Sequence, residues 1–520
     1  MESSLEQPSS LDYPELIVGI AGPIGVDMDL IAASLGVALG NVGYASTLIK
    51  LTAEMARFPI NDPELAKEPT EFPGADTFNV YMRKMSEANA LRKQYDDPAV
   101  LSRIAIEAIQ NLRFKGTGHA KVAQAKHAYI IRQLKHPEEV ILLRKVYGRQ
   151  FVLVSAYAPE SRRKDQLCRR LSDELSTSLT HAEVGYRADQ LIERDANEED
   201  DALGQHLRET FHLADVFIDG LDKAEMDTTN QRFIDALFGK NDLSPSKHEY
   251  GMYAAKSASL RSVDLSRQIG AAIFSDDGEL ITQGCNEVPK AGGGTYWDLE
   301  RPDHRDAKKG FDPNEHHKKE LLRDLVERFR KRGYLSKEAI AKGTDAQIVE
   351  DLICKKKSPQ KNGALVGSRI MDLTEYGRVV HAEMLAVTDA ARLGRSVKDA
   401  TLYCTTFPCH NCTKHLLASG IKRVVYMEPY PKSRAKDLHP DEIELEVEVE
   451  GKVGFIPFMG ISPYRYRDIF QKGKRKGDDG KARAWYYDER RPMIEVIQPS
   501  YLANEEWAMG PMLGQVLPKV

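Results

Sequence analysis

"VVHAEMLAV" (379–387) sets a histidine and a glutamate two residues apart in an otherwise apolar run. Ionisable groups are costly to bury without partners. The partners of His381 stand downstream in "TLYCTTFPCHNCTKH" (401–415). Cys409 and Cys412 there form a Pro-Cys-His-Asn-Cys element, which opens a predicted helix over 409–419 after a predicted strand over 400–404. Residues three apart share a helical face, so the two thiols converge. A helix N-terminus also favours thiolate over thiol. His381 begins a second predicted helix, 381–393, and adds one imidazole. The result is a Cys2His set with one position open, the arrangement expected of catalytic zinc. Glu383, beside the set but outside it, is placed to move a proton from zinc-activated water. Cys404 and His410 fall off the pattern and read as a packed thiol and an exposed turn residue.

Working outward, 520 residues is too long for one ordinary domain. A hydrophobic fraction of 42% and a charged fraction of 29% describe a soluble globular chain. The net charge of −5 has no basic footprint of the kind that long nucleic acid demands. The N-terminus lacks an apolar signal region, and no apolar run is long enough to span a bilayer. The expected location is therefore the cytoplasm, with no membrane partner. Six cysteines do not make a disulfide framework, which supports reading Cys409 and Cys412 as metal ligands.

Upstream, 1–13 reads as a disordered tail and about 58–75 as a Pro-bearing loop. Apolar runs at 16–20, 45–49, 128–131, 151–155 and 214–219 alternate with helical stretches. This pattern predicts a parallel, doubly wound sheet over 14–238. "GKNDLSPSKHEYG" (239–251) has a linker's composition, and the linker is set at 239–248. A helix over about 249–261 and a hairpin turning at Asp277-Gly278 follow. Residues 295–375 read as an inserted block of charged helices and loops. Strict alternation over 442–450 predicts a half-buried strand.

H-A-E followed by P-C-x-x-C is the signature of zinc nucleobase deaminases. About 249–435 resembles the deoxycytidylate deaminase branch of the cytidine-deaminase superfamily. The resemblance rests on "RSVDLSRQIGAAIFSDDG" (261–278), "GCNEVPKAGG" (284–293), "HAEM" (381–384), "PCHNC" (408–412) and "SGIKRVVYMEPY" (419–430). It implies that Asn286 meets the sugar and base, and that Tyr426 and Tyr430 line the pocket. Lys432 and Ser433, with Arg434, follow the last core strand, where a loop can reach a 5′-phosphate.

The whole chain resembles the two-domain anti-phage dCTP deaminases, with "YPKSRAKDLHPDEIE" (430–444) and "VGFIPFMGISPYRYRDIF" (453–470) as their downstream extension. That resemblance implies an α/β chain. A P-loop-kinase-like parallel sheet over 14–238 comes first. An α/β/α cytidine-deaminase-like domain over 249–520 follows, with the insertion at 295–375 and an extension at 436–520. It also implies Zn2+ as cofactor, conversion of dCTP or dCMP to the deoxyuridine nucleotide in defence against phage, and a homo-oligomer. A regulatory nucleotide, an RNA or a phage factor would be the further partner.

"GPIGVDMD" (22–29) aligns with the P-loop pattern through Gly22 and Gly25. The pattern's second glycine is Asp27, its lysine Met28 and its hydroxyl residue Asp29, so phosphate and magnesium lose their usual contacts. No phosphoryl transfer is expected there. Two other classes stay open at this level: a deaminase of single-stranded DNA or RNA, and a non-enzymatic nucleotide or phage sensor. Asp303, His304, His316, His317 and Cys354 in the insertion mark the place to look for a second metal.

Overall fold

The structure, a computed structural model, describes residues 12–62, 65, 77–174, 180–197, 206–356, 362–430, 432–494 and 500–513. The expected N-terminal tail therefore lies outside the described residues except for Asp12 and Tyr13, as does most of the 58–75 loop.

The chain forms two compact units. One comprises 1–249 together with 458–520, and the other 250–457. The first is built on β1 (Leu16–Ala21), β2 (Ala45–Lys50), β3 (His127–Leu134), β4 (Phe151–Tyr157) and β5 (Val216–Asp219). These five strands run parallel in the order β2-β3-β1-β4-β5, each where an apolar run was read. Leu16–Ala21 and the first five residues of His127–Leu134 are wholly buried, which is why they appear as continuous apolar runs rather than alternating ones. The helix Met28–Asn41 sends Ile31, Leu35 and Leu39 into the same core as Ile20, Ile130, Val154 and Phe233.

Two boundaries differ from expectation. The stretch set as a linker is held within the first unit: Asn241 is buried, its backbone N–H donating to Ala484 O at 2.9 Å and its side-chain amide to Arg483 O at 3.0 Å. The units divide after Glu249, inside the helix Lys247–Ser259. The extension 436–520 also divides. From Phe458 on it belongs to the first unit, where β12 (Gly460–Ile461) pairs antiparallel with β5. Glu249 fixes that join, accepting from the Ile461 N–H at 2.9 Å and from Arg232 Nη1 at 2.6 Å. The composition of 239–248 marks a turn, but buried side chains decide whether a turn is also a hinge.

The second unit's sheet has the order β7-β6-β8-β9-β11-β10, formed by β6 (Gly270–Phe274), β7 (Leu280–Cys285), β8 (Thr401–Thr406), β9 (Arg423–Glu428), β10 (Ile443–Leu445) and β11 (Val453–Pro457). β6 runs antiparallel to both neighbours and the rest are parallel. The expected strand over 442–450 is only β10. Glu446 turns at φ +70, and Val447 and Val449 are exposed. Alternation there records composition without burial, because no layer covers that face beyond Leu445. The inserted block holds a long helix, Pro313–Lys331, and its own small core of Leu322, Val326, Ile348 and Val349.

The helix Ala382–Arg392 packs against β7 at very short range. A Cβ on Gly284 would stand 2.1 Å from the Ala382 carbonyl oxygen and 2.7 Å from the Ala386 nitrogen. Both obstacles are backbone, so the helix itself must move. Gly284→Ala is expected to cost about 1–3 kcal/mol of stability and to lower zinc content, since Ala382 adjoins His381. Thermal unfolding with metal analysis of the purified protein checks both.

Candidate active site

Two helix starts build the site. His381 is the N-cap residue of Ala382–Arg392, and Cys409 is the N-cap residue of His410–Ser419, its Sγ accepting from the Cys412 N–H. N-cap residues have extended backbone and send their side chains across the helix end. Both side chains thus face the same small volume from the ends of two neighbouring elements. His381 Nδ1 lies 3.4 Å from Cys409 Sγ and 3.5 Å from Cys412 Sγ. The three donor atoms lie within 4.8 Å of one another, which suits one small cation. Two soft sulfurs and an imidazole are a zinc donor set. Residues 381, 409 and 412 form the one such group of three found among the described residues.

The electrostatics favour a thiolate. Hydrogen bonding from Cys412, then from His381, pushes the Cys409 thiol down to about 4 against the cost of burial. Cys412 is pushed up by its hydrogen bond to Cys409 and by burial, so the pair readily shares one negative charge. Glu383, in the first turn of its helix, is 4% exposed and sits 3.5 Å from Cys412 Sγ through Oε2. Burial raises its pKa, partly offset by the charge of His381. A buried carboxyl of this kind holds a proton more readily than a solvated one, as a proton shuttle requires.

A cavity of about 180 Å³ opens onto His381, Glu383 and Cys409. Asn286 and Tyr430 line it, as the sequence motifs suggested. Asn286 is 4% exposed; its Oδ1 accepts from the Ala382 N–H at 3.0 Å, and its amide donates to Asp264 Oδ2 at 3.2 Å and Arg267 O at 3.3 Å. It therefore ties the turn after β7 to the helix that starts at His381.

Three other expected contacts are placed elsewhere. Tyr426 is buried in the core, edge-on to Phe407 with ring centroids 4.9 Å apart, and does not line the cavity. Both faces of β9 are covered, so strand parity does not separate core from pocket there. Lys432 pairs with Asp372 at 2.6 Å, and Ser433 Oγ donates to Pro408 O at 2.9 Å; neither lines the cavity. Its two cations are Arg267, which lies within the 261–278 motif without being singled out there, and Arg378, which no local motif marks. Arg267 pairs with Glu428, and Arg378 with Asp306 at 2.6 Å.

Of the off-pattern residues, Cys404 is fully buried as a packed thiol, while His410 is half-buried rather than exposed. In the insertion, Asp303 binds Arg305, and His316 and His317 both face Glu320, so these side chains are engaged separately. In the first unit, Gly22 O accepts from Gln133 Nε2 at 3.0 Å, and Gly25 turns at φ +95.

Residues 245–428 match the family model described as the cytidine and deoxycytidylate deaminase zinc-binding region. The deoxycytidylate deaminase of Enterobacteria phage T2 is 47% identical over 55 residues, 11% of this chain and 29% of that protein. The cytosine deaminase of Candida albicans is 36% identical over 87 residues, 14% of this chain and 58% of that protein. The chain thus spans about three-tenths of the phage relative's length. Among solved structures, the dCMP deaminase of cyanophage S-TIM5 in complex with dCMP and dUMP aligns at a TM-score of 0.22 and 17% identity, over 41% of this chain and 98% of that one.

Proposed function

We infer, from residues 245–428 being a cytidine and deoxycytidylate deaminase zinc-binding region, that this protein deaminates a free deoxycytidine nucleotide to the deoxyuridine nucleotide. The observation that carries the reading is the buried Glu383 beside the His381, Cys409 and Cys412 cluster, with a cavity that opens onto His381, Glu383 and Cys409. dCTP is the assigned substrate, with dCMP second, and depletion of dCTP is the assigned consequence for phage. A homo-oligomer is the assigned assembly.

His381, Cys409 and Cys412 would hold the zinc. When bound, zinc acidifies a water toward neutrality and so supplies the nucleophile. Glu383 takes the proton of the attacking water and gives it to the pyrimidine ring nitrogen. The water oxygen bonds to C4, and the C4–N bond breaks. The remaining proton goes to the departing amine, so ammonia leaves and a C4 carbonyl remains. Asn286 and Tyr430 orient the nucleoside. Arg267 and Arg378 are the cations within reach of phosphates in this cavity.

Purified zinc-loaded protein incubated separately with dCTP, dCMP, CTP, deoxycytidine and a cytosine-containing single-stranded DNA tests the assignment, with ammonia release and product mass as readouts. Conversion of dCTP or dCMP is expected. Conversion of the DNA with both nucleotides untouched would move the protein to the editing class.

Asn286→Ala removes the acceptor for the Ala382 N–H. Loss of a group that orients a ligand costs about 10–100-fold in metal affinity or activity. A zinc competition titration alongside steady-state kinetics should show the change in both, because Asn286 touches the ligand's helix and the cavity together.

A further inference from the structure

The first unit carries a second cavity, of about 250 Å³, beyond the carboxyl ends of β1, β2 and β3. Pro23 to Val26 follow β1, Leu51 and Thr52 follow β2, and Arg132, Gln133 and Lys135 lie at the end of β3; all line it. Ligands of parallel α/β sheets bind outside the carboxyl ends of the strands.

The lining is asymmetric in charge. Lys84, Arg92, Arg132, Lys135 and Arg170 contribute cations, and Asp195 the one carboxylate. Four of the cations pair with carboxylates that do not line the cavity: Lys84 with Glu87 at 2.9 Å, Arg92 with Glu139 at 2.7 Å, Arg170 with Asp27 at 3.1 Å, and Arg132 with Asp29. Those pairs hold the cationic side chains in place, Lys135 pairs with Asp195 at 2.7 Å, and a donor is left spare where a guanidinium N–H lacks an acceptor.

Arg92 shows this most directly. It is fully buried, and its Nη1 and Nη2 donate to Asn89 and Glu139. Its Nε finds no partner among the described residues. A buried guanidinium N–H without an acceptor is costly, and an anion supplies one. The remaining wall is mostly apolar and includes Tyr81, Met55, Met85 and Leu101, which suits a ring rather than a bare ion.

The degenerate loop explains why side chains must do this work. Asp27 caps the helix Met28–Asn41, its Oδ1 accepting from the Leu30 N–H at 3.1 Å, and also binds Arg170. Asp29 binds Lys50 and Arg132. Carboxylates of the chain itself thus occupy the positive helix end that a loop-bound phosphate would use.

We propose that this cavity is a binding site for a nucleoside monophosphate, gripped by Lys84, Arg92, Arg132, Lys135 and Arg170 rather than by the 22–29 loop. The volume is small beside ordinary ligand pockets of roughly 300–1,000 Å³, so a dinucleotide is excluded. The phosphate meets the cations, and the base lies against Tyr81 and the apolar wall.

Hydrogen exchange of the full-length zinc-loaded protein tests this with AMP, GMP, dTMP, dCMP, dUMP and inorganic phosphate, each titrated separately. At least one nucleotide should protect 22–28, 80–92 and 132–135, with inorganic phosphate binding at least tenfold more weakly. Lys84→Met removes one cation, and Thr52→Trp plugs the cavity from an exposed position. Both should weaken that protection at least tenfold while leaving ligand-free deamination unchanged. Protection confined to 264–286 and 381–412, equal binding of inorganic phosphate, or protection insensitive to both variants would each overturn the site. Because the readout is local to the first unit, a failure here is distinguishable from a failure of the deaminase assignment.

Discussion

Glu383→Ala protein is expected to bind zinc as the parent does but to deaminate about 10³-fold more slowly, within the range of general acid–base catalysis. The separation of the two readouts is the point of the experiment. Glu383 is not needed to complete the donor set, since His381, Cys409 and Cys412 already converge. It is nonetheless buried, which is costly for a carboxyl without work to do. A structural zinc site has no use for it. Loss of zinc together with activity would make Glu383 a ligand or a structural support and remove the proton-transfer role. Full activity without Glu383 would sink the proposed chemistry altogether. Glu383→Gln keeps the size of the side chain but cannot accept and return the proton, so it should behave like Glu383→Ala.

Arg113→Met is expected to destabilise the first unit by about 3–5 kcal/mol, the cost of breaking a buried ion pair from one side. Arg113 is wholly buried. Its Nε donates to both oxygens of Glu15, at 3.0 and 3.1 Å, and its Nη1 and Nη2 each donate to Glu505 at 2.8 Å. The Tyr501 hydroxyl donates to Glu15 Oε2 at 2.8 Å. The network pins the C-terminal helix Tyr501–Leu513 against the N-terminal strand and the helix Val100–Thr117. Removing the guanidinium leaves two buried carboxylates facing each other. Denaturant-dependent hydrogen exchange in β1 and β3 should report the loss, with exchange in β8 and β9 as the unaffected reference. Replacing Arg113, Glu15 and Glu505 together by apolar residues of similar size should recover much of the stability, since no charge is then stranded. If the triple variant were as unstable as Arg113→Met, the cost would lie in lost packing.

The group of His381, Glu383, Cys409 and Cys412 was legible because its information is local. His381 and Glu383 are two apart, Cys409 and Cys412 three apart, and helix-start geometry converts those spacings into convergent side chains. Asn286 was legible through its turn, although its grip on the Ala382 N–H was not. Tyr426 misled because β9 is covered on both faces, and Lys432 because its partner, Asp372, lies 60 residues earlier in a block with no pattern of its own. Arg267 lies in the 261–278 motif without standing out in it, Arg378 lies in no motif, and only folding puts both beside one cavity.

By itself, then, the sequence determined the five parallel strands of the first unit, strands β6 to β9 of the second, and the cluster of His381, Cys409 and Cys412 with Glu383 beside it. In each case the signal is an apolar run or a spacing within one helical turn. The tertiary structure alone decided which unit owns residues 458–520. β12 is two residues long and has no periodicity to read. It exists because Gly460 and Ile461 complete the edge of β5, and because Glu249, 212 residues earlier, accepts the Ile461 N–H. An edge strand with open backbone donors and acceptors takes whatever segment the fold delivers to it, and that delivery is a property of the packed chain.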